Sequence, residues 1–94
     1  MRRAARTDGN QQAITDALRA AGASVESLAS VGHGVPDLLV SAHCINYLLE
    51  IKDGSKPTSK RALTDDERTW HAAWRGQVVV VASVEEALQA IGAT

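Results

Sequence analysis

The sequence predicts an α/β domain, a mixed four-stranded sheet flanked by helices, and three patterns carry that expectation. Near the N-terminus Ile14, Leu18 and Ala21 stand at i, i+4 and i+7, the spacing of one helix face. Two apolar runs, "DLLVS" and "INYLLEIK", are separated by only a few residues, so an antiparallel hairpin is the natural pairing. A helix opened by a capping box then precedes the unbroken apolar run "QVVVVAS", which adds a last strand to the sheet.

The elements follow in chain order. The first helix runs through "DGNQQAITDALRAAGA", with Thr7 or Asp8 as N-cap and Gly22 as the residue that ends it. "SVESLAS" alternates imperfectly around Val25 and Leu28 and reads as a short strand leading into the glycine-rich "VGHGVP". The hairpin strands come next, turned by "SAHC". Gly54 and Pro57 stop the sheet in "DGSKPTSKR", a wet, lysine-bearing loop. Thr64 and Glu67 stand at the two ends of a capping box, and the helix they open carries Trp70 and Trp74 at i, i+4. "QVVVVAS" has the continuous apolarity of a strand buried on both faces. Ser83 and Glu86 form another capping box for the closing helix "VEEALQAI".

Composition narrows the function classes. A chain of 94 residues makes one domain with few spare parts, residues 1–94, of which 1–7 read as a flexible basic arm. With no Phe, two Trp and one Tyr, the core must be aliphatic. The single cysteine, Cys44, cannot form an internal disulfide and gives no cysteine-based zinc cluster, which fits a reducing cytosol. Neither a signal peptide nor a run approaching 18 apolar residues is present, so a soluble, cytoplasmic protein with no membrane partner is expected. A net charge of −1 argues against a wholly basic nucleic-acid coat, yet Lys52, Lys56, Lys60 and Arg61 fall close together. Taken alone, that cluster reads equally as a solvated face.

Chemistry concentrates on the hairpin. Side chains two apart on a strand share a face, so Glu50 and Lys52 project together while Ile51 turns into the core. In an antiparallel pair the start of one strand neighbours the end of the next, which brings Asp37 towards Glu50. Two converging carboxylates repel unless a hard cation, Mg²⁺ or Mn²⁺, sits between them, with the backbone carbonyl of Ile51 as a third oxygen. Lys52 beside that ion could orient or help deprotonate a bound water, an arrangement suited to in-line attack on a phosphodiester. The plain alternative is an edge salt bridge between Lys52 and Glu50 or Asp37.

Pro36-Asp37, the 13-residue step to Glu50, and Glu50-Ile51-Lys52 resemble the PD-(D/E)XK nuclease signature. The element order likewise resembles the restriction-endonuclease-like αβββαβ core of that superfamily. Within it, the chain is most similar to small stand-alone VRR-NUC (virus-type replication-repair nuclease) domains, and behind them to archaeal Holliday junction resolvases, over nearly its whole length. The resemblance implies a metal-dependent, structure-specific DNA endonuclease, a Holliday junction resolvase as one form of it, of phage or mobile-element origin. It puts Asp37 and Glu50 on the metal, Lys52 at the nucleophilic water, and a first-helix glutamine, carried here to Gln11, beside a metal-bound water. Two cuts by a chain with one site imply a homodimer. The competing reading is a catalytically silent nuclease fold that serves as a DNA-binding or assembly module.

Other residues are weaker candidates. His33, between Gly32 and Gly34, could touch a phosphate or be an exposed turn residue. Lys56, Lys60 and Arg61 directly follow the strand that carries Glu50 and are candidate phosphate contacts on branched DNA. His43 and Cys44 lack a second metal-binding pair and suit a turn. Ser41 lacks a base to make it a nucleophile. Trp70 and Trp74 at helical spacing suit a core or dimer interface better than base stacking. His71, off their face, is expected at the surface.

Overall fold

In the computed structural model, residues 9–93 are described; the basic arm expected over 1–7 and the proposed caps Thr7 and Asp8 lie outside them. Helix α1 (Gly9–Ala20) is followed by β1 (Ser24–Ser27), β2 (Leu38–Ala42) and β3 (Ile45–Ile51). Helix α2 (Asp65–Ala73), β4 (Val79–Val81) and α3 (Val84–Ala90) complete the chain. The strands lie in the order β1-β2-β3-β4, with the first two pairings antiparallel and β3–β4 parallel. The mixed sheet expected from the sequence is the one observed.

Alternation along the strands sorts the faces. Val25, Leu38, Val40, Leu49, Ile51 and Val81 point to one face, where Ile14 and Leu18 of α1, Ala87 of α3 and Ile91 just after it close an aliphatic core. Burying side chains of this size contributes about 1.5–3 kcal/mol each before chain entropy is set against it. The other face carries Asp37, Leu39, Leu48, Glu50 and Lys52, and α2 lies over it with its own residues at most partly covered. The core and the side chains of Asp37, Glu50 and Lys52 therefore occupy opposite faces of one sheet.

Ala42 pairs with Ile45, so β2 and β3 are joined by the two residues His43 and Cys44, at φ 54° and 64°. Positive φ at both central positions is the primed-turn geometry whose twist matches the flanking strands, and this is the turn role expected for the pair. The capping box of α2 forms as read, with Thr64 Oγ1 accepting from Glu67 N–H and Glu67 Oε1 accepting from Thr64 N–H. At α3 Ser83 caps Glu86 N–H, but the Glu86 carboxylate reaches back to Ala82 N–H, one residue before the cap. Gly34, at φ 84°, lets the loop before β2 press on the backbone carbonyl of Asp66, where any Cβ would collide.

Two expectations are corrected. The run "QVVVVAS" is a three-residue edge strand, not a strand buried on both faces, and Val80 is 45% exposed. Its neighbours Val79 and Val81 face the core while Val80 turns to the opposite face, so alternation and not composition decides which valines are covered. The strand in "SVESLAS" spans only Ser24–Ser27, although Leu28 N–H still donates to the carbonyl of Asp37, the next position in register. No described helix is long and apolar enough to cross a membrane.

Candidate active site

The site forms where β2 begins and β3 ends. Leu38 pairs with Leu49 as the last pair of that ladder, so the next pair outward would be Asp37 and Glu50. Beyond it Ile51 N–H has no strand partner, and Asp37 Oδ2 accepts from it at 2.7 Å. The aspartate thus extends the ladder with its side chain. A strand residue presents N–H and C=O on the same side, so the Ile51 carbonyl also faces the Asp37 edge. On the opposite side Lys52 N–H donates to the carbonyl of Val81, and Asn10 Nδ2 from the first turn of α1 donates to the carbonyl of Lys52 at 2.8 Å.

Glu50 is 2% exposed, an unusual place for a carboxylate. Burial, then a hydrogen bond and charge from the Asp37 carboxyl, then the charge of Glu67, push its pKa up to about 9, with Lys52 pulling weakly the other way. Proximity of two acids does the same to any pair that cannot ionise together. Glu50 Oε1 is buried and has no hydrogen-bond partner among the described residues.

Lys52 is held from the helix above. Its Nζ lies 2.7 Å from Glu67 Oε1 and 3.9 Å from Glu50 Oε2, so the ammonium bridges helix and strand. Burial tends to raise the pKa of the Glu67 carboxyl, but Lys52 and the Thr64 N–H outweigh it and hold the pKa below its usual value. The same Glu67 oxygen therefore caps α2 and anchors Lys52.

One turn further along α2, His71 is not at the surface as expected. Its side chain is 14% exposed and Nε2 stands 3.7 Å from Glu50 Oε1, also without a hydrogen-bond partner among the described residues. Glu67 and His71 are the residues that sequence reading missed at this site. The i, i+4 spacing of Glu67 and His71, beside that of Trp70 and Trp74, was the available signal. The indoles of Trp70 and Trp74 stack at 4.6 Å, and Trp74 is 45% exposed over Leu39, Leu48, Asn46 and Gln77.

The remaining candidates divide by position. Gln11 is buried on α1, where it lines a small cavity of about 170 Å³ with Thr15, Arg19 and Leu38, the residue next to Asp37. His33 is exposed at φ 58° between two left-handed glycines. Lys56 and Lys60 are exposed on the loop after β3, which contains a 3₁₀ turn at Thr58–Lys60. Arg61 spends two donors inside that loop, on the carbonyls of Lys56 at 2.7 Å and Gly54 at 2.8 Å. Asp53 accepts from the Ser55 hydroxyl and N–H, which hold its carboxyl below the usual range.

Whether these groups fit a divalent cation can be judged from the donor set. Among the described residues no group of three or more His, Cys, Asp and Glu is arranged to hold a metal. What converges is two carboxylates and one backbone carbonyl, an all-oxygen set that suits a hard cation keeping several waters. The forced proximity of Asp37 and Glu50 fits such an ion.

No family model and no curated protein matches the chain. A solved structure of a "VRR_NUC domain" is similar to it, at 29% identity and a TM-score of 0.53, over 86% of this chain and 88% of that one. Together, the α/β fold, the shared face of Asp37, Glu50 and Lys52, and this likeness support a nuclease domain of the VRR-NUC kind.

Proposed function

We propose that the chain is a metal-dependent DNA endonuclease that hydrolyses phosphodiester bonds in branched DNA, with four-way junctions among its substrates. The observation that carries this reading is the convergence of Asp37 and Glu50 at one strand end, with Glu50 buried and its pKa pushed up to about 9. A buried Glu50 carboxyl beside a second acid is poorly explained as an edge salt bridge, because Lys52 pairs with Glu67 and leaves Glu50 at 3.9 Å. Asp37, Glu50 and the Ile51 carbonyl would hold Mg²⁺, or Mn²⁺. When bound, such an ion acidifies a water and offsets charge on the phosphoryl oxygens.

The chain's own residues do the rest. Lys52, fixed by Glu67, sets an ammonium beside the attacked phosphate and orients the water, which favours the charge that develops during in-line displacement. Gln11, a neutral amide, is a candidate to hold a further water from α1. Lys56 and Lys60, with His33 and Arg61 as further candidates, steer the backbone of DNA across the exits of β2 and β3. Two cuts in one junction call for two sites, and a twofold homodimer supplies them.

Cleavage of duplex, flap, splayed and four-way DNA in Mg²⁺ and in Mn²⁺ tests the reading. Wild type should cut branched substrates, and Asp37→Ala and Lys52→Ala should lose at least about a hundredfold in rate, the scale of removing a positioned charge. Cleavage that persists in both variants, or none by wild type in either metal, overturns it. Junction binding indifferent to chelator would mark a silent DNA-binding module instead.

A further inference from the structure

Two polar atoms face each other across the site, and neither has a hydrogen-bond partner among the described residues: Glu50 Oε1 and His71 Nε2, 3.7 Å apart. Leaving either atom buried and unsatisfied costs on the order of 1–3 kcal/mol, so the pair is poised to close. A shift of under about 1 Å brings them within the ordinary N–H···O range of about 2.7–3.2 Å. His71 is set for that shift by α2: Trp70 meets its ring edge-on, with centroids 5.9 Å apart and planes at 74°. One turn earlier, Glu67 holds Lys52 at 2.7 Å. The two neighbouring strand residues Glu50 and Lys52 are thus addressed by two helix residues four apart, a spacing that places both on one side of α2.

We propose that His71 is a positioning residue, donating Nε2–H to Glu50 Oε1 so that the Glu50 carboxylate is held in a fixed orientation towards the cation. This inference rests on the nuclease reading of the site. The Glu50 carboxylate has two oxygens and two tasks. Oε1 turns to His71 under α2, while Oε2 lies on the Lys52 side. A carboxylate held by one oxygen loses little rotamer freedom when the other meets an ion, and hydrogen-bond partners behind a metal ligand act in this way. Helix α2 becomes a template: Glu67 fixes the amine, His71 fixes the acid, and their separation is set by one helical turn.

Calorimetric titration of Mn²⁺ into the DNA-free protein tests this without relying on turnover, using wild type, His71→Leu and His71→Gln. Thermal melts of the three proteins serve as the folding control. His71→Leu should weaken Mn²⁺ binding by about 10–100-fold. His71→Gln, whose amide nitrogen can take the place of Nε2, should recover most of the affinity. Nitrogen spectra of the imidazole ring in the metal-free protein should find a proton on Nε2. Equal Mn²⁺ affinity in wild type and His71→Leu, no recovery by His71→Gln, or a ring whose Nε2 is bare overturns the assignment of His71. Absence of any Mn²⁺ binding by wild type would instead remove the nuclease reading, and with it the purpose of the contact.

Discussion

Replacing Glu50 with glutamine should stabilise the metal-free protein at neutral pH, and by an amount that grows with pH. In the folded chain Glu50 keeps its proton up to about pH 9, whereas in the unfolded chain it releases it near the ordinary value of 4.5. Between those limits the unfolded state binds fewer protons than the native state, so stability falls as pH rises. Each pH unit is about 1.4 kcal/mol, and three units separate 4.5 from pH 7.5, giving a ceiling of about 4 kcal/mol at that pH. Set against a typical net stability of about 5–15 kcal/mol, this is a large penalty. Glutamine keeps the shape of the protonated acid and does not titrate. In thermal denaturation with chelator, Glu50→Gln and wild type should melt together near pH 5. The variant should then gain progressively to about pH 8, with about 4–8 °C for each kcal/mol relieved in a domain this small. Excess Mg²⁺ should close the gap by stabilising wild type alone, since a ligand that binds only the folded state adds to its stability. A difference in melting temperature that stays constant across that pH range would refute the reasoning, because Asp37 and Glu50 would then not compete for charge.

Glu67→Gln keeps an acceptor for Thr64 N–H but removes the charge beside Lys52, so cleavage should fall about tenfold or more while the melt hardly moves. Glu67→Ala loses the reciprocal cap as well and should additionally cost about 1 kcal/mol, read as a lower melting temperature. Lys56→Ala with Lys60→Ala should weaken binding to all DNA shapes alike and reduce the slope of log affinity against log salt by about 2, measured by fluorescence anisotropy over a salt series. An unchanged slope would mean that this loop lies off the DNA path.

The element order, the hairpin, its two-residue turn and the cap of α2 were legible because each is written locally, in spacing or in residues that suit one backbone conformation. The meeting of Asp37 with Glu50 was legible too, since antiparallel pairing and period-two alternation fix it once the hairpin is known. What stayed hidden depended on packing between elements distant in sequence. "QVVVVAS" looked buried on both faces, but apolarity does not say whether a second layer covers the face opposite the core, and Val80 stands exposed there. His71 looked like surface because the indoles of Trp70 and Trp74 marked the apolar stripe of α2. The helix turns a different stripe, Glu67 and His71, towards the sheet. Glu67 was read completely as a cap, and nothing in a capping box announces that the same oxygen also meets a lysine 15 residues earlier.

The charges at the site also bear on how an acidic chain could engage DNA. Glu50 and Glu67 flank one amine, Lys52, with Asp37 beside Glu50, and that amine lies 2.7 Å from Glu67. With its acids ionised such a cluster repels a phosphodiester, and with Glu50 protonated it still offers the phosphate no unopposed positive charge. The exposed Lys56 and Lys60 stand on the loop beyond, where they can hold a backbone without relieving the repulsion at the reacting phosphate. A divalent cation held by Asp37 and Glu50 would reverse the sign at that point and would remove the reason for Glu50 to keep its proton. Below about pH 9 its binding should therefore release a proton, so apparent cation affinity should rise with pH over the range in which the metal-free fold weakens. Titrating Mg²⁺ in buffers of different ionisation heat measures that proton directly; binding without proton release would separate the cation from Glu50.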